Sequence, residues 1–139
     1  MKVILNKCFG GFDVSDAAYE LYAKKKGITL YKYTENIDRE MTREYTRVEL
    51  GDRVGIMTHY FTCDFGKHPD EKSIDWDKML YLNSEHREDK TLVEVVEELG
   101  KAASGSFGEL VVVEIPDGME YVIDDYDGIE TLHAKVETW

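Results

Sequence analysis

The sequence lacks any run approaching the roughly 18 apolar residues that a membrane-spanning helix needs. Its first residues, Met1 to Asn6, hold one basic residue and then only three apolar ones, too few for the core of a secretion signal. Cysteine is scarce. Cys8 and Cys63 stand alone, which excludes a secreted disulfide scaffold and fits a reducing compartment, so a cytoplasmic protein with two free thiols is expected. No HExxH, CxxC, GxSxG or Walker pattern occurs, so no familiar metalloprotease, redox, hydrolase or P-loop motif marks the chain.

What is present is a folding composition. The chain is 42% hydrophobic and 12% aromatic over 139 residues. That length predicts a single domain spanning 1–139, able to bury roughly 68% of the surface its unfolded form exposes. Charge is unevenly placed. Residues 1–70 hold 11 Lys/Arg against 11 Asp/Glu, whereas residues 71–139 hold 6 against 18 and carry the whole net charge of −12. Such a C-terminal half repels a phosphate backbone, so direct nucleic-acid binding is not expected. An anionic ligand would approach the neutral half, where Lys24, Lys25 and Lys26 cluster and Arg39, Arg43, Arg47 and Arg53 follow; a solvated surface is the plainer alternative.

Along the chain, Val3 to Cys8 reads as a buried strand, broken by Phe9-Gly10-Gly11-Phe12-Asp13. Ser15 caps a helix whose buried face is Ala17, Ala18, Leu21 and Tyr22, and Gly27 ends it after three lysines. Ile28 to Tyr33 is a second strand. Residues 34–53 fit either a helical face or an edge strand over Glu44–Leu50, with the strand favoured. Val54 to Thr62 is a strand, 64–73 a loop, and Met79–Leu82 a short strand or turn. The second helix is the clearest element: Leu92, Val95, Val96, Leu99, Ala102 and Ala103 follow helical spacing, with Asp89 or Thr91 as cap and Gly105 as stop. Leu110 to Ile115 and Met119 to Ile123 are strands about a Pro116-Asp117-Gly118 turn. Asp124 to Gly128 is a further turn, and a last element carries Leu132 and Val136 to Trp139. The expected class is α+β: a mixed, mainly antiparallel sheet with two principal helices packed on it.

Few residues invite chemistry. The glycine turn between a strand and a helix places backbone N–H groups where an anion could approach, although it is neither a P-loop nor a complete GxGxxG pattern. A tight turn whose phenylalanines pack into the core is the competing account. Cys8, beside Lys7 and a helix start, has the setting of an activated thiol, but lone cysteines at strand ends are mostly small buried hydrophobes. His59, Cys63 and His68 have ligand-like spacing without a fourth partner, so no metal is expected. Asp124 to Gly128 is not a calcium loop: with Gly128 at the invariant glycine, both essential carboxylate positions are occupied by Ile123 and Ala134. No cofactor is expected, and no catalytic residue is assigned.

Asn6-Lys7-Cys8-Phe9-Gly10-Gly11-Phe12 with Ser15 resembles the opening of a family of small bacteriophage and prophage proteins of unassigned function. The resemblance continues in Leu92-Val93-Glu94-Val95-Val96-Glu97-Glu98-Leu99-Gly100, Val112-Val113-Glu114-Ile115-Pro116-Asp117, Tyr126-Asp127-Gly128-Ile129-Glu130 and the closing Trp139. It covers about the first 30 residues and residues 87–139. Two departures stand out. Glu88 and Lys90 replace the Thr and Pro of a family Arg-Thr-Asp-Pro, and Val136-Glu137-Thr138-Trp139 replaces a His-Arg-Ser/Thr-Trp ending.

The resemblance implies a phage accessory protein in the bacterial cytoplasm. Proteins of that kind often oppose host defence, one mode being sequestration of the nucleotide signals of Thoeris- or CBASS-like immunity. The residues expected to take such a ligand are Asn6, Lys7, Cys8, Phe9, Gly10, Gly11, Phe12, Ser15, Arg87, Tyr126 and Asp127, in a homo-oligomer. The alternatives are an acidic module that docks on a host protein, a hydrolase of such a signal, and a structural phage component.

Overall fold

The computed structural model describes residues 1–52 and 57–135. The expectations placed on Arg53, on the start of the Val54 strand, on Val136 and on Trp139 fall outside them. The class is α+β: eight strands in antiparallel sheets and two α-helices among the described residues. The strands do not form one mixed sheet. They form a pair, a four-stranded sheet and a hairpin, antiparallel throughout. The chain gathers into two compact units, one of Met1–Tyr22 with Leu82–Trp139, the other of Ala23–Tyr81. No helix among the described residues is long and apolar enough to cross a membrane.

The first unit is built on β1 (Lys2–Asn6), which pairs with β6 (Leu110–Glu114) from Lys2 opposite Glu114 to Asn6 opposite Leu110. Alternation puts Val3, Leu5, Val111 and Val113 on one face. There they pack with Tyr121, Ile123 and Leu132 of a hairpin made by β7 (Tyr121–Tyr126) and β8 (Ile129–Ala134). The acidic stretch 124–128 is therefore mostly strand, and the turn narrows to Asp127 and Gly128. Both have positive φ, 49° and 94°, the conformation a two-residue type I′ hairpin requires.

The helix α2 (Lys90–Leu99) packs on β1 and β6. Asp89 caps it, its Oδ1 accepting the Thr91 and Leu92 N–H groups at 2.9 and 3.4 Å, and its Oδ2 accepts the Tyr22 hydroxyl at 2.6 Å. Burial and that contact push the Tyr22 phenol well above the usual tyrosine range. The α-helix stops at Gly100, whose φ of 57° breaks it, and not at Gly105. Residues Gly100–Ala103 continue as a 3₁₀ turn, so of the expected stripe Leu92, Val95, Val96 and Ala103 are buried while Leu99 is only partly so and Ala102 is exposed.

Helix α1 (Asp16–Lys26) begins as expected, with the Ser15 hydroxyl accepting the Ala18 N–H at 3.2 Å. It ends in a Schellman motif: Ile28 N–H donates to Ala23 O at 2.9 Å and Gly27 N–H to Lys24 O at 3.3 Å, with Gly27 at φ 69°.

The second unit holds β2 (Tyr31–Ile37), β3 (Arg43–Val48), β4 (Met57–Phe61) and β5 (Met79–Leu80) in the order β3-β2-β4-β5. The second strand starts three residues later than expected, and the ambiguous region resolves as an edge strand. Tyr33, Tyr45, Phe61 and Ile74 form the core. Asp75 caps a short 3₁₀ turn that sets Trp76 edge-on against Tyr45, His59 and Phe61, with ring centroids 5.8, 5.4 and 5.5 Å away.

Candidate functional site

The expected ligand residues lie in the first unit, and several of them meet where β1 ends. Asn6 is fully buried. Its Nδ2 donates to Cys8 O at 2.8 Å and to Gly128 O at 2.6 Å, while its Oδ1 accepts the Glu109 N–H at 2.8 Å. One short amide thus ties the glycine turn, the β7–β8 hairpin tip and the approach to β6. A buried amide with all these bonds is an architectural tie, because leaving any of them unmade costs about 1–3 kcal/mol.

Gly10 and Gly11 are held by the same junction. The Gly10 N–H donates to Asp127 O at 3.0 Å, and the Gly11 N–H donates to Phe107 O at 3.2 Å. A Cβ on Gly10 would lie 2.3 Å from Phe107 O, and one on Gly128 would lie 2.8 Å from the Gly10 and Gly11 backbone. Glycine is needed here for close approach of backbone to backbone. The two N–H groups read from the sequence as an anion cradle are engaged within the protein.

Arg87 has a similar history. Its guanidinium grips Glu130 in a two-point pair, Nη2 to Oε2 at 2.8 Å and Nη1 to Oε1 at 3.2 Å, and Nη1 also donates to Ile4 O at 2.8 Å. Both side chains are largely buried, 14% and 7% exposed. The Ile4 N–H donates to Arg87 O at 2.9 Å and the Asn6 N–H to Glu130 Oε1 at 2.8 Å. The pair therefore occupies the edge of β1 that β6 leaves open, supplying the donors and acceptors a further strand would bring. Phe12 lies under the guanidinium at 5.5 Å, and Lys7 Nζ donates to Glu130 O at 2.8 Å. Glu130 was not foreseen, although it closes the Tyr126–Glu130 stretch of the resemblance.

The remaining expected residues fall at the margin. Ser15 donates to Ala102 O at 2.5 Å besides capping α1. Cys8 is a partly exposed free thiol whose Sγ lies 3.3 Å from Phe9 O. It lines an open groove of about 650 Å³ bordered by β6, the end of α2 and the 3₁₀ turn after it. The phenylalanines do not both turn inward: Phe9 is 62% exposed, as are Phe107 at 73% and Tyr126 at 73%. The main chains of all three meet at the Gly10–Asp127 junction. Asp124, Asp125 and Asp127 lie on the hairpin beside them.

The second unit holds a cluster the sequence did not announce. Glu35 is buried and accepts the Tyr45 hydroxyl at 2.8 Å, and His59 Nε2 and Arg43 Nη1 each stand 3.8 Å from it. Burial first, and then Glu35, push the Tyr45 phenol up to about 12. His59 Nε2 is buried without a hydrogen-bond partner among the described residues. His59 thus turns to Glu35 and Trp76, and His68 Nδ1 lies 3.4 Å from Thr46 Oγ1. Among the described residues no group of three or more His, Cys, Asp or Glu could hold a metal ion. Arg47, counted toward an anion site, pairs with Asp64 at 2.5 Å, and the Gly66 N–H and Arg47 hold that carboxyl below the usual range.

Comparison with protein-family models, with curated proteins and with solved structures finds no match.

Proposed function

We propose that this chain is a binding protein whose acidic first unit docks on a basic partner protein. The observation that carries the reading is the exposed trio Phe9, Phe107 and Tyr126 around one rigid backbone junction, in a unit that holds the whole net charge. Six Lys/Arg against 18 Asp/Glu fall in the first unit and 11 against 11 in the second. Exposed aromatics on a fixed scaffold, rimmed by charge of one sign, have the make-up of an interface anchor with an electrostatic guide. On the resemblance to phage and prophage proteins the partner is a bacterial host protein, and opposition to host defence is the role it would serve.

A second reading, sequestration of a nucleotide-derived signal, is favoured by the same aromatics, which could stack on a base. Its phosphates would need donors other than the Gly10 and Gly11 amides and Arg87, which are engaged.

Affinity capture from a bacterial lysate separates the two. Wild type should retain a basic protein that raised salt releases, and the variant Phe9→Ser/Phe107→Ser/Tyr126→Ser should not retain it. Native mass spectrometry showing a co-purifying nucleotide, with no protein captured, would replace docking by sequestration.

A further inference from the structure

The two edges of the β1–β6 pair are treated differently. The outer edge of β1 is closed by Arg87 and Glu130. β6 pairs with β1 alone among the described strands. The Leu110 N–H points away from β1, since it donates to Ser104 Oγ at 2.7 Å. The Glu109 carbonyl, which accepts the Lys7 N–H at 2.8 Å, points toward it. With a period of two, the N–H and C=O of Val112 and the N–H of Glu114 also point outward. Among the described residues these groups have no hydrogen-bond partner. Val112 borders a groove of about 650 Å³ that Val96, Gly100, Lys101, Ser104 and Leu110 also help to line.

We infer that this groove is a second binding site, one that takes an extended peptide segment as a third strand beside β6, antiparallel or parallel. Main-chain bonds to Val112 and Glu114 would hold the segment, and its alternate side chains would enter the apolar groove between β6 and α2. The unprotected edge is unusual: Leu110-Val111-Val112-Val113 is a flat apolar run with neither proline nor lysine to blunt it. Charge selects the occupant. Glu97, Glu109 and Glu114 stand along the groove and strand against Lys101 alone, and Lys2 is already paired with Glu97 at 2.9 Å. A segment with apolar residues at alternate positions and a basic flank is complementary. A second copy of this chain is not, because edge-to-edge pairing would set acidic strands against each other. The inference shares with the docking reading only the expectation of a basic partner, and it concerns a different surface.

The probe is a fluorescein-labelled peptide Lys-Val-Thr-Val-Thr-Val-Lys, read by anisotropy, together with amide exchange at Val112. Binding should protect the Val112 amide. An otherwise identical peptide N-methylated at alternate residues should bind about tenfold more weakly, since main-chain bonds are lost. A Glu-flanked peptide should also bind less well. Val112→Pro removes an outward N–H without touching the ladder to β1, so it should weaken the peptide similarly. The N-methylated peptide makes the same test on wild-type protein. Absence of binding by the parent peptide overturns the inference. So does equal binding of the N-methylated form, or protection of Val112 in a dimer formed without peptide. Loss of peptide binding while a host protein is still captured would sink the groove alone. The converse would sink only the aromatic docking surface.

Discussion

The two units solve the same problem, what to do with charge, in opposite ways. The first carries every unit of the net charge on its surface and buries one matched pair, Arg87 and Glu130, in full contact with backbone groups. The second is neutral overall yet buries Glu35 and Lys32. Lys32 Nζ reaches Asp52 O and lies 5.8 Å from the centre of the Tyr60 ring, while Glu35 faces a histidine nitrogen with no hydrogen-bond partner among the described residues. Surface charge and buried charge are thus separate design choices. An acidic exterior need not trouble the interior, and a neutral exterior does not guarantee a satisfied one.

The sharpest way to break this contrast is Glu130→Ala. It leaves Arg87 buried without its partner and the Asn6 N–H without an acceptor, and should remove about 3–5 kcal/mol by urea unfolding. An ordinary buried ion pair can be replaced by apolar residues at little cost, but Arg87→Met/Glu130→Met should not recover wild-type stability, since the β1 edge stays unsatisfied. Amide exchange should show the loss in Met1–Tyr22 and Leu82–Lys135. Equal loss of protection across Tyr31–Phe61 would mean that the units open as one.

Next in size is Leu92→Ala, in a wholly buried position of α2, expected to cost about 2–5 kcal/mol. Leu99→Ala should cost clearly less because that residue is only partly buried. A glycine comparison follows. Gly118 has a positive φ of 78° with open space around its Cβ direction, whereas Gly128 combines φ 94° with the 2.8 Å approach to Gly10 and Gly11. Gly118→Ala should cost about 1 kcal/mol through backbone strain alone. Gly128→Ala should cost about 1–3 kcal/mol more through the clash, and equal melts would mean that the junction yields.

The smallest expected effect belongs to the second unit. Tyr45 keeps its proton in the fold up to about pH 12 while an unfolded tyrosine loses it near 10. The stabilisation is full below pH 10 and declines as pH rises through that window. Phenolate absorbance of Tyr45→Phe should show one late-titrating tyrosine fewer than wild type, with Tyr22 titrating late in both, and a shallower alkaline loss of stability in the variant. A wild-type slope retained in Tyr45→Phe would assign the effect elsewhere.

Local signals were readable and distant ones were not. The periodicity of α2, the Ser15 and Asp89 caps and the Gly27 stop are set within a few residues, and each could be seen in the sequence. Only the second half of β7 was hidden: the strand expected to end at Ile123 runs on to Tyr126, because Asp124 and Asp125 in isolation read as loop. Asn6, Lys7, Gly10, Arg87 and Asp127, expected from separate segments to share a ligand, do lie near one another. Their roles depended on Glu130 and Phe107, partners far along the chain that no local pattern pairs with them. The open edge of β6 was equally illegible, because an apolar run looks the same whether one or two strands flank it.

The order in which the chain is made gives the Asn6 junction a further meaning. The whole of Ala23–Tyr81 is synthesised between the two segments of the first unit, and the partners of Asn6 lie at Cys8, Glu109, Gly128 and Glu130. A nascent chain therefore carries β1 without its β6 partner until more than a hundred further residues have been made, while the second unit can already close on itself. Closing the first unit therefore comes after the second unit has been made, and that interval is when the strand is most exposed to chaperones, to proteases and to the β1 of neighbouring nascent chains.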